Sequence, residues 1–298
     1  TFSDLVAEAR EQVYADALDA GLPADDTPLR DGGSGARAYA EAVSVYLAFI
    51  LDKQADLGNN LNRWEPVAQC PRQLFARQAI PMVWGFAEGN PFSTSSGSWH
   101  VLINNVTKSM EADSFNFYRP KAGFAVQMDA TAVNADAAIP ISTDPPYYDN
   151  IGYADLSDFF YIWLRASLKD VYPSIFSTLL VPKTPELIAS PHRHAGDSEA
   201  ANQHFESGLM LAFAKMRELI PPSFPLTVYY AFKQQDVVAG ESEASTGWEV
   251  MLNGLIQTGF AIVGTWPIRT EMSSRMAGQG TNALASSIVL VCRPRPED

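Results

Sequence analysis

The chain has 298 residues, of which 47% are hydrophobic and only 18% charged, and this excludes a disordered or low-complexity polymer. Its 21 Lys and Arg face 34 Asp and Glu, a formal net charge of −13. That balance argues against tight autonomous binding to duplex DNA, yet leaves room for a local basic groove.

No apolar run approaches the ~20 residues needed to cross a bilayer. The longest, Ala38 to Leu51, is interrupted by Glu41 and Ser44. The expectation is no transmembrane segment and no signal peptide. Cys70 and Cys292 are too few for a disulfide framework or a four-cysteine zinc site. They read as two buried thiols in a reducing cytoplasm.

Residues 1–120 read as a mainly helical region. Ser3 is a candidate N-cap, followed by Val6, Ala9 and Val13 at helical spacing. A loop rich in Pro, Asp and Gly spans Gly21 to Gly35. Ala36 to Leu51 repeats apolar residues at helical spacing, with Tyr39, Tyr46 and Ile50 on the expected core face. A helix near Cys70 should end or kink at Pro81. Asn90 to Ser98 is a loop by composition, and His100 to Met110 a further helix.

Residues 121–298 read as an α/β region. Gly123 to Met128 is a strand candidate ending in Asp129, and Ala137 to Thr143 a second one. Leu156 to Leu168 is a helix with Phe159, Phe160, Trp163 and Leu164 on its apolar face. Residues 173–200 read as a long loop. A helix (Asn202 to Leu219), a strand (Leu226 to Phe232) and a helix stopped by Gly259 (Thr246 to Gln257) follow. Phe260 to Trp266 and Ser287 to Cys292 are the last strands, an antiparallel pair. The alternation predicts a sheet with helices on both faces.

The motif with chemistry is Asp144-Pro145-Pro146-Tyr147, placed at the carboxyl end of a strand, where open α/β sheets bind ligands. Two prolines stiffen the backbone and remove two donors. Carbonyls are left as acceptors beside the Asp144 carboxylate and the flat face of Tyr147. That set suits a planar ligand with an exocyclic NH2. A rigid turn without chemistry is the other reading of these four residues. Tyr148, Asp149 and Asn150 either shape a base pocket or form an Asx turn.

Asp144-Pro145-Pro146-Tyr147 resembles the catalytic motif of amino-group methyltransferases, which use S-adenosylmethionine to methylate adenine or cytosine in DNA. The wider stretch from Ser142 to Arg165 resembles the large prokaryotic adenine-specific DNA methylases that also carry an N-terminal domain of unknown function. Arg77 to Phe92, Ser245 to Glu249 and Gly280 to Arg293 look like the same group, so the likeness spans most of residues 70–295. It implies a Rossmann-like methyltransferase sheet, here its C-terminal strands closed by an antiparallel hairpin. It implies catalytic roles for Asp144, Pro145, Pro146 and Tyr147. Asp129 would accept from the adenine amino group of S-adenosylmethionine, and Phe92 would pack against that cofactor; the other readings are an Asp129 that caps a turn and a Phe92 in a turn with its ring in the core. Tyr148 and Asn150 would shape the pocket for a base flipped out of DNA. Lys233, just past the Leu226 to Phe232 strand, would point toward the same crevice and either touch a phosphate or stay solvated.

The family's Gly-rich cofactor loop is missing. Gly32-Gly33-Ser34-Gly35 follows no apolar strand and reads as a helix-initiating turn. The expectation is a C-terminal portion, with the cofactor loop on an upstream segment or a second chain. Other readings stay open: a catalytically silent portion or DNA-binding module of a methylase or restriction-modification system, or a methyltransferase for RNA or protein amino groups. Asp at position 144 favours a nucleobase over a protein glutamine. His192, His194 and His204 lack a Cys or carboxylate partner at metal spacing, so no metal site is expected.

Overall fold

The computed structural model describes residues 1–75, 78–85, 87–113, 123–149, 151–231, 243–268 and 287–296. The chain divides into two units, Thr1–Ala122 with Tyr153–Lys183, and Gly123–Gly152 with Thr184–Asp298. The expected boundary near residue 120 is close to the first break. The helix after the Asp144 motif, however, belongs to the first unit.

The first unit holds α1 (Phe2–Asp19), α2 (Ala36–Leu57), β1 (Trp64–Glu65), β2 (Cys70–Pro71), α3 (Trp99–Asp113) and α4 (Tyr153–Leu168). Helices α1, α3 and α4 pack on α2. Ala36, Ala40, Ser44 and Ala48 recur every four residues on α2, and all are buried. Small side chains in one row let neighbouring helices approach closely. Tyr39 and Tyr46, assigned to the core by spacing, are instead 53% and 41% exposed. Thr1, not Ser3, occupies the N-cap of α1; Ser3 is buried in the first turn. The loop before α2 folds back so tightly that a Cβ on Gly33 would lie 2.0 Å from the Thr27 carbonyl oxygen.

The helix expected near Cys70 is replaced by a two-residue hairpin, with Glu65 opposite Cys70. Pro71 pushes Cys70 out of helical geometry, which explains the difference. Cys70 is half-buried rather than buried, whereas burial pushes the Cys292 thiol up to about 11. The first part of the expected 173–200 loop is fastened to α4. Tyr161 Oη donates to the Thr178 carbonyl at 2.9 Å, and Asp158 accepts from Val181 N at 2.9 Å and Lys183 Nζ at 2.6 Å.

The second unit is a sheet of β3 (Ser142–Thr143), β4 (Leu226–Ala231), β5 (Phe260–Ile268) and β6 (Ser287–Pro294), in the order β3-β4-β6-β5. β3 and β4 are parallel; β6 is antiparallel to β4 and to β5. Two helices cover it, α5 (Ser198–Leu219) and α6 (Glu243–Gln257). Asp197 caps α5 by accepting from Glu199 N at 2.9 Å and Ala200 N at 3.1 Å. Phe205, Leu209 and Phe213 of α5 and Met251 and Leu255 of α6 share one core with Leu226, Val228 and Tyr230. Those strand residues alternate, so both helices lie on the same face. Helices were expected on both faces; among the described residues of this unit both helices of the core lie on one. Tyr229, on the other face, is 41% exposed.

Two expected strands also change. Gly123 to Met128 is not paired into a sheet among the described residues, and Phe124 is 92% exposed. Ala137 to Thr143 shrinks to Ser142–Thr143, because Pro140 removes a ladder donor just upstream. No helix among the described residues is long and apolar enough to cross a membrane.

Asp52 lies half-buried on α2, with no hydrogen-bond partner for Oδ1 among the described residues. Burial pushes its carboxyl up to about 7. A raised carboxyl stabilises the folded chain while it keeps its proton, and that contribution is lost as pH rises through about 7. Asp52→Asn should therefore melt a few degrees above the parent chain at pH 8, and the gap should close near pH 4. Equal melting temperatures at both values would show that Asp52 is solvated.

Candidate functional site

Parallel pairing places the carboxyl ends of β3 and β4 side by side, with Thr143 in register with Val228. Asp144 follows β3 directly and Tyr230 stands near the end of β4. Pro145 is buried, while Asp144 and Pro146 are exposed. The chain then curls so that Tyr147 Oη donates to Asp144 Oδ1 at 2.5 Å. The Tyr147 ring stands perpendicular to that of Tyr230, centroids 5.3 Å apart at 88°. Tyr230 is only 3% exposed and also meets Trp248, centroids 5.8 Å apart. Burial, with the negative charge of Asp149 adding to it, pushes the Tyr230 phenol up to about 12.

Tyr148 takes the left-handed region, φ 48°. Three elements hold it there. Ala189 N donates to its carbonyl at 3.0 Å. Its hydroxyl donates to Asn202 Oδ1 of α5 at 2.6 Å, and its ring meets Phe205 edge-on at 5.3 Å. Gly247 of α6 comes so close that an added Cβ would lie 3.0 Å from Tyr148 Cβ and 3.2 Å from Tyr230 Oη. The arrangement is an acidic, aromatic turn. It offers acceptors to an N–H donor beside a ring, and two carboxylates in one turn repel a phosphate.

Of the remaining expected residues, Asp129 and Phe92 make their described contacts within their own segments. Asp129 caps the 3-10 turn Ala130–Ala132, its Oδ1 accepting from Thr131 N at 2.8 Å and Thr131 Oγ1 at 2.7 Å. The Thr131 hydroxyl bond, then the backbone bond, hold its carboxyl below the usual range. It therefore ends an unpaired segment rather than a strand. Phe92 belongs to the first unit, is 79% exposed, and its N–H donates to Asn90 Oδ1 at 3.0 Å. Asn150 and Lys233 lie outside the described residues. His194 and His204 meet ring to ring at 5.2 Å, and Arg193 pairs with Glu186 at 2.6 Å, so this stretch is partly packed rather than simply solvated. Among the described residues no group of three or more His, Cys, Asp or Glu is arranged to hold a metal.

Comparison with known proteins finds no matching family model, no matching curated protein and no matching solved structure.

Sequence reasoning missed Tyr230, Gly247, Trp248, Asn202 and Phe205. For Tyr230 a signal existed: it shares the period-two face of Leu226 and Val228 and stands at the strand end nearest the motif. The others depend on how α5 and α6 dock, which no local pattern encodes.

Gly247→Ala sets two effects against each other. Alanine gains about 1 kcal/mol of helix propensity, whereas overpacking costs about 1–3 kcal/mol. The contacts at Tyr148 Cβ and Tyr230 Oη decide for the second. Urea unfolding should show a net loss of about 1 kcal/mol; a stabilised variant would mean that the Tyr148 turn yields freely.

Proposed function

We propose that this chain carries the amino-acceptor half of a methyltransferase acting on an exocyclic amino group of a DNA base, most directly adenine N6. One observation carries the reading: the Asp144 carboxylate and the Tyr147 ring meet at the carboxyl end of β3 on a braced turn. The parallel β3–β4 pair followed by an antiparallel β5–β6 hairpin supports it, since that is the partial sheet the family likeness calls for.

The chemistry follows from the acceptor. An exocyclic amino nitrogen is a poor nucleophile because its lone pair is delocalised into the ring. Hydrogen bonds from its N–H groups to Asp144 Oδ1 and the Pro145 carbonyl draw that pair out of conjugation. Tyr147 stacks on the base and holds nitrogen and methyl carbon in line, so positioning supplies much of the rate. Asp144 need not be a strong base, because the amine becomes acidic only after transfer. S-adenosylmethionine supplies the methyl group when bound.

The described residues do not assemble a site for that cofactor. Asp129 is joined by no second expected cofactor contact within its own unit, and Phe92 is exposed in the other. The reading therefore assigns the cofactor loop to an upstream segment or a second chain, in a protein of the cytoplasm. The same observation favours a second reading, a catalytically silent portion or DNA-binding module. Two calorimetric titrations separate them. Adenosine binding tests the acceptor half, and S-adenosylmethionine binding tests whether this chain completes the cofactor half. A chain that binds neither contradicts the methyltransferase reading.

Asp144→Ala should weaken adenosine binding by about tenfold or more, the worth of hydrogen bonds to a charged group, with the circular dichroism spectrum unchanged. In the complete enzyme, methyl transfer should fall about 10²–10³-fold. Unchanged binding and transfer would remove the catalytic assignment.

Tyr147→Ala should weaken adenosine binding by about tenfold to a hundredfold, the worth of one stacked base. Tyr147→Phe should bind at least as well as the parent, because it keeps the ring and releases Asp144 Oδ1. Equal losses in both variants would show that the hydroxyl, not the ring, recognises the base.

A further inference from the structure

We propose that Tyr230 is a positioning residue for the proposed amino-group reaction: it fixes the plane of the Tyr147 ring, and so sets where a target base lies against Asp144. The inference rests on the amino-acceptor reading above and goes beyond the motif itself.

Tyr147 must satisfy two conditions at once. Its ring is the stacking surface, and its hydroxyl touches the same carboxylate that the substrate amino group needs. Rotation about the Tyr147 side chain would move both together. The aromatic residue described against this ring is Tyr230, perpendicular at 88° with centroids 5.3 Å apart. Perpendicular ring pairs have a directional preference that aliphatic contacts lack. Tyr230 cannot itself turn easily. It is buried in the sheet core with Leu226 and Val228, it meets Trp248, and Gly247 of α6 closes on its hydroxyl. Tyr230 belongs to β4 and Tyr147 to the turn after β3, and the parallel register of the two strands brings them together.

In this arrangement the Tyr147 hydroxyl donates to the same Asp144 oxygen that a substrate N–H would use. An incoming amino group takes over that acceptor while Tyr230 keeps the Tyr147 ring in its plane. The base then slides against a surface already oriented.

The test places 3-fluorotyrosine at position 147 and reads its fluorine resonance together with calorimetric adenosine affinity. The parent chain should show one resonance, displaced from its position in urea. Tyr230→Phe keeps the ring and should hold both the shift and the affinity within about twofold. Tyr230→Leu fills space without a ring. It should move the resonance toward the unfolded position and weaken adenosine binding about tenfold, the upper end for an aromatic pair. Should the leucine variant fail to fold by circular dichroism, Tyr230→Met reads the same quantities.

A leucine or methionine variant that keeps both shift and affinity overturns the proposal. So does one that frees the ring yet binds adenosine as the parent does. A parent chain with a held ring and no adenosine affinity is a different failure. It removes the amino-acceptor reading, and Tyr230 then only packs.

Discussion

Everything at the candidate site depends on Tyr148 being held at φ 48°. For a bulky residue this geometry costs about 1–3 kcal/mol. Two hydrogen bonds and one edge-on ring pair oppose that cost, each worth about 0.5–1.5 kcal/mol. Together they are of the same size as that cost or larger, so the turn is held. The reversal at Tyr148 turns the chain back just beyond the motif, and within the motif the Tyr147 hydroxyl reaches the carboxylate three residues earlier. The partners of Tyr148 come from the segment before α5, from α5 itself and from α6. The motif is therefore local in sequence, but the turn that follows it is braced by elements more than forty residues away.

The electrostatics of the turn select the ligand more sharply than its apolar parts do. Asp144 and Asp149 stand within one turn of a chain already at −13. Such a field disfavours phosphate and favours N–H donors and cations. A nucleic acid substrate would have to meet this site through a base edge, with its phosphates held elsewhere. Screening beyond about 8 Å at physiological ionic strength makes that separation workable. The net charge thus speaks against backbone-driven DNA binding, not against reading an amino group.

Much of the second unit was legible because its signals are local. Alternation marks β4, β5 and β6, and helical spacing with the Asp197 cap marks α5. What failed was non-local. Phe124, Val126 and Met128 alternate as a strand should, yet pairing needs a partner that sequence spacing does not name. On α2 the period held and Ile50 is buried as expected, but Tyr39 and Tyr46 are not. Their rings are larger, and close helix approach selects Ala36, Ala40, Ser44 and Ala48 instead. At the site, the motif residues were visible at once. Their braces were not, since Tyr230 and Gly247 look like ordinary strand and helix residues until the sheet register joins them.

Asp129 shows why the cofactor side of the reading is weaker than the base side. A carboxylate has about four acceptor positions, and Thr131 takes two at Oδ1. Capping a turn and accepting from a cofactor amino group are therefore chemically compatible. Its hydrogen bonds thus argue for neither role, and what a cofactor role lacks is convergence with a second contact. The base side has that convergence: carboxylate, ring and perpendicular support lie within one turn and two strand ends. Two carboxylates in that turn also favour a cationic methyl donor nearby. The proposed acceptor role thus rests on geometry that does not depend on where a donor is held.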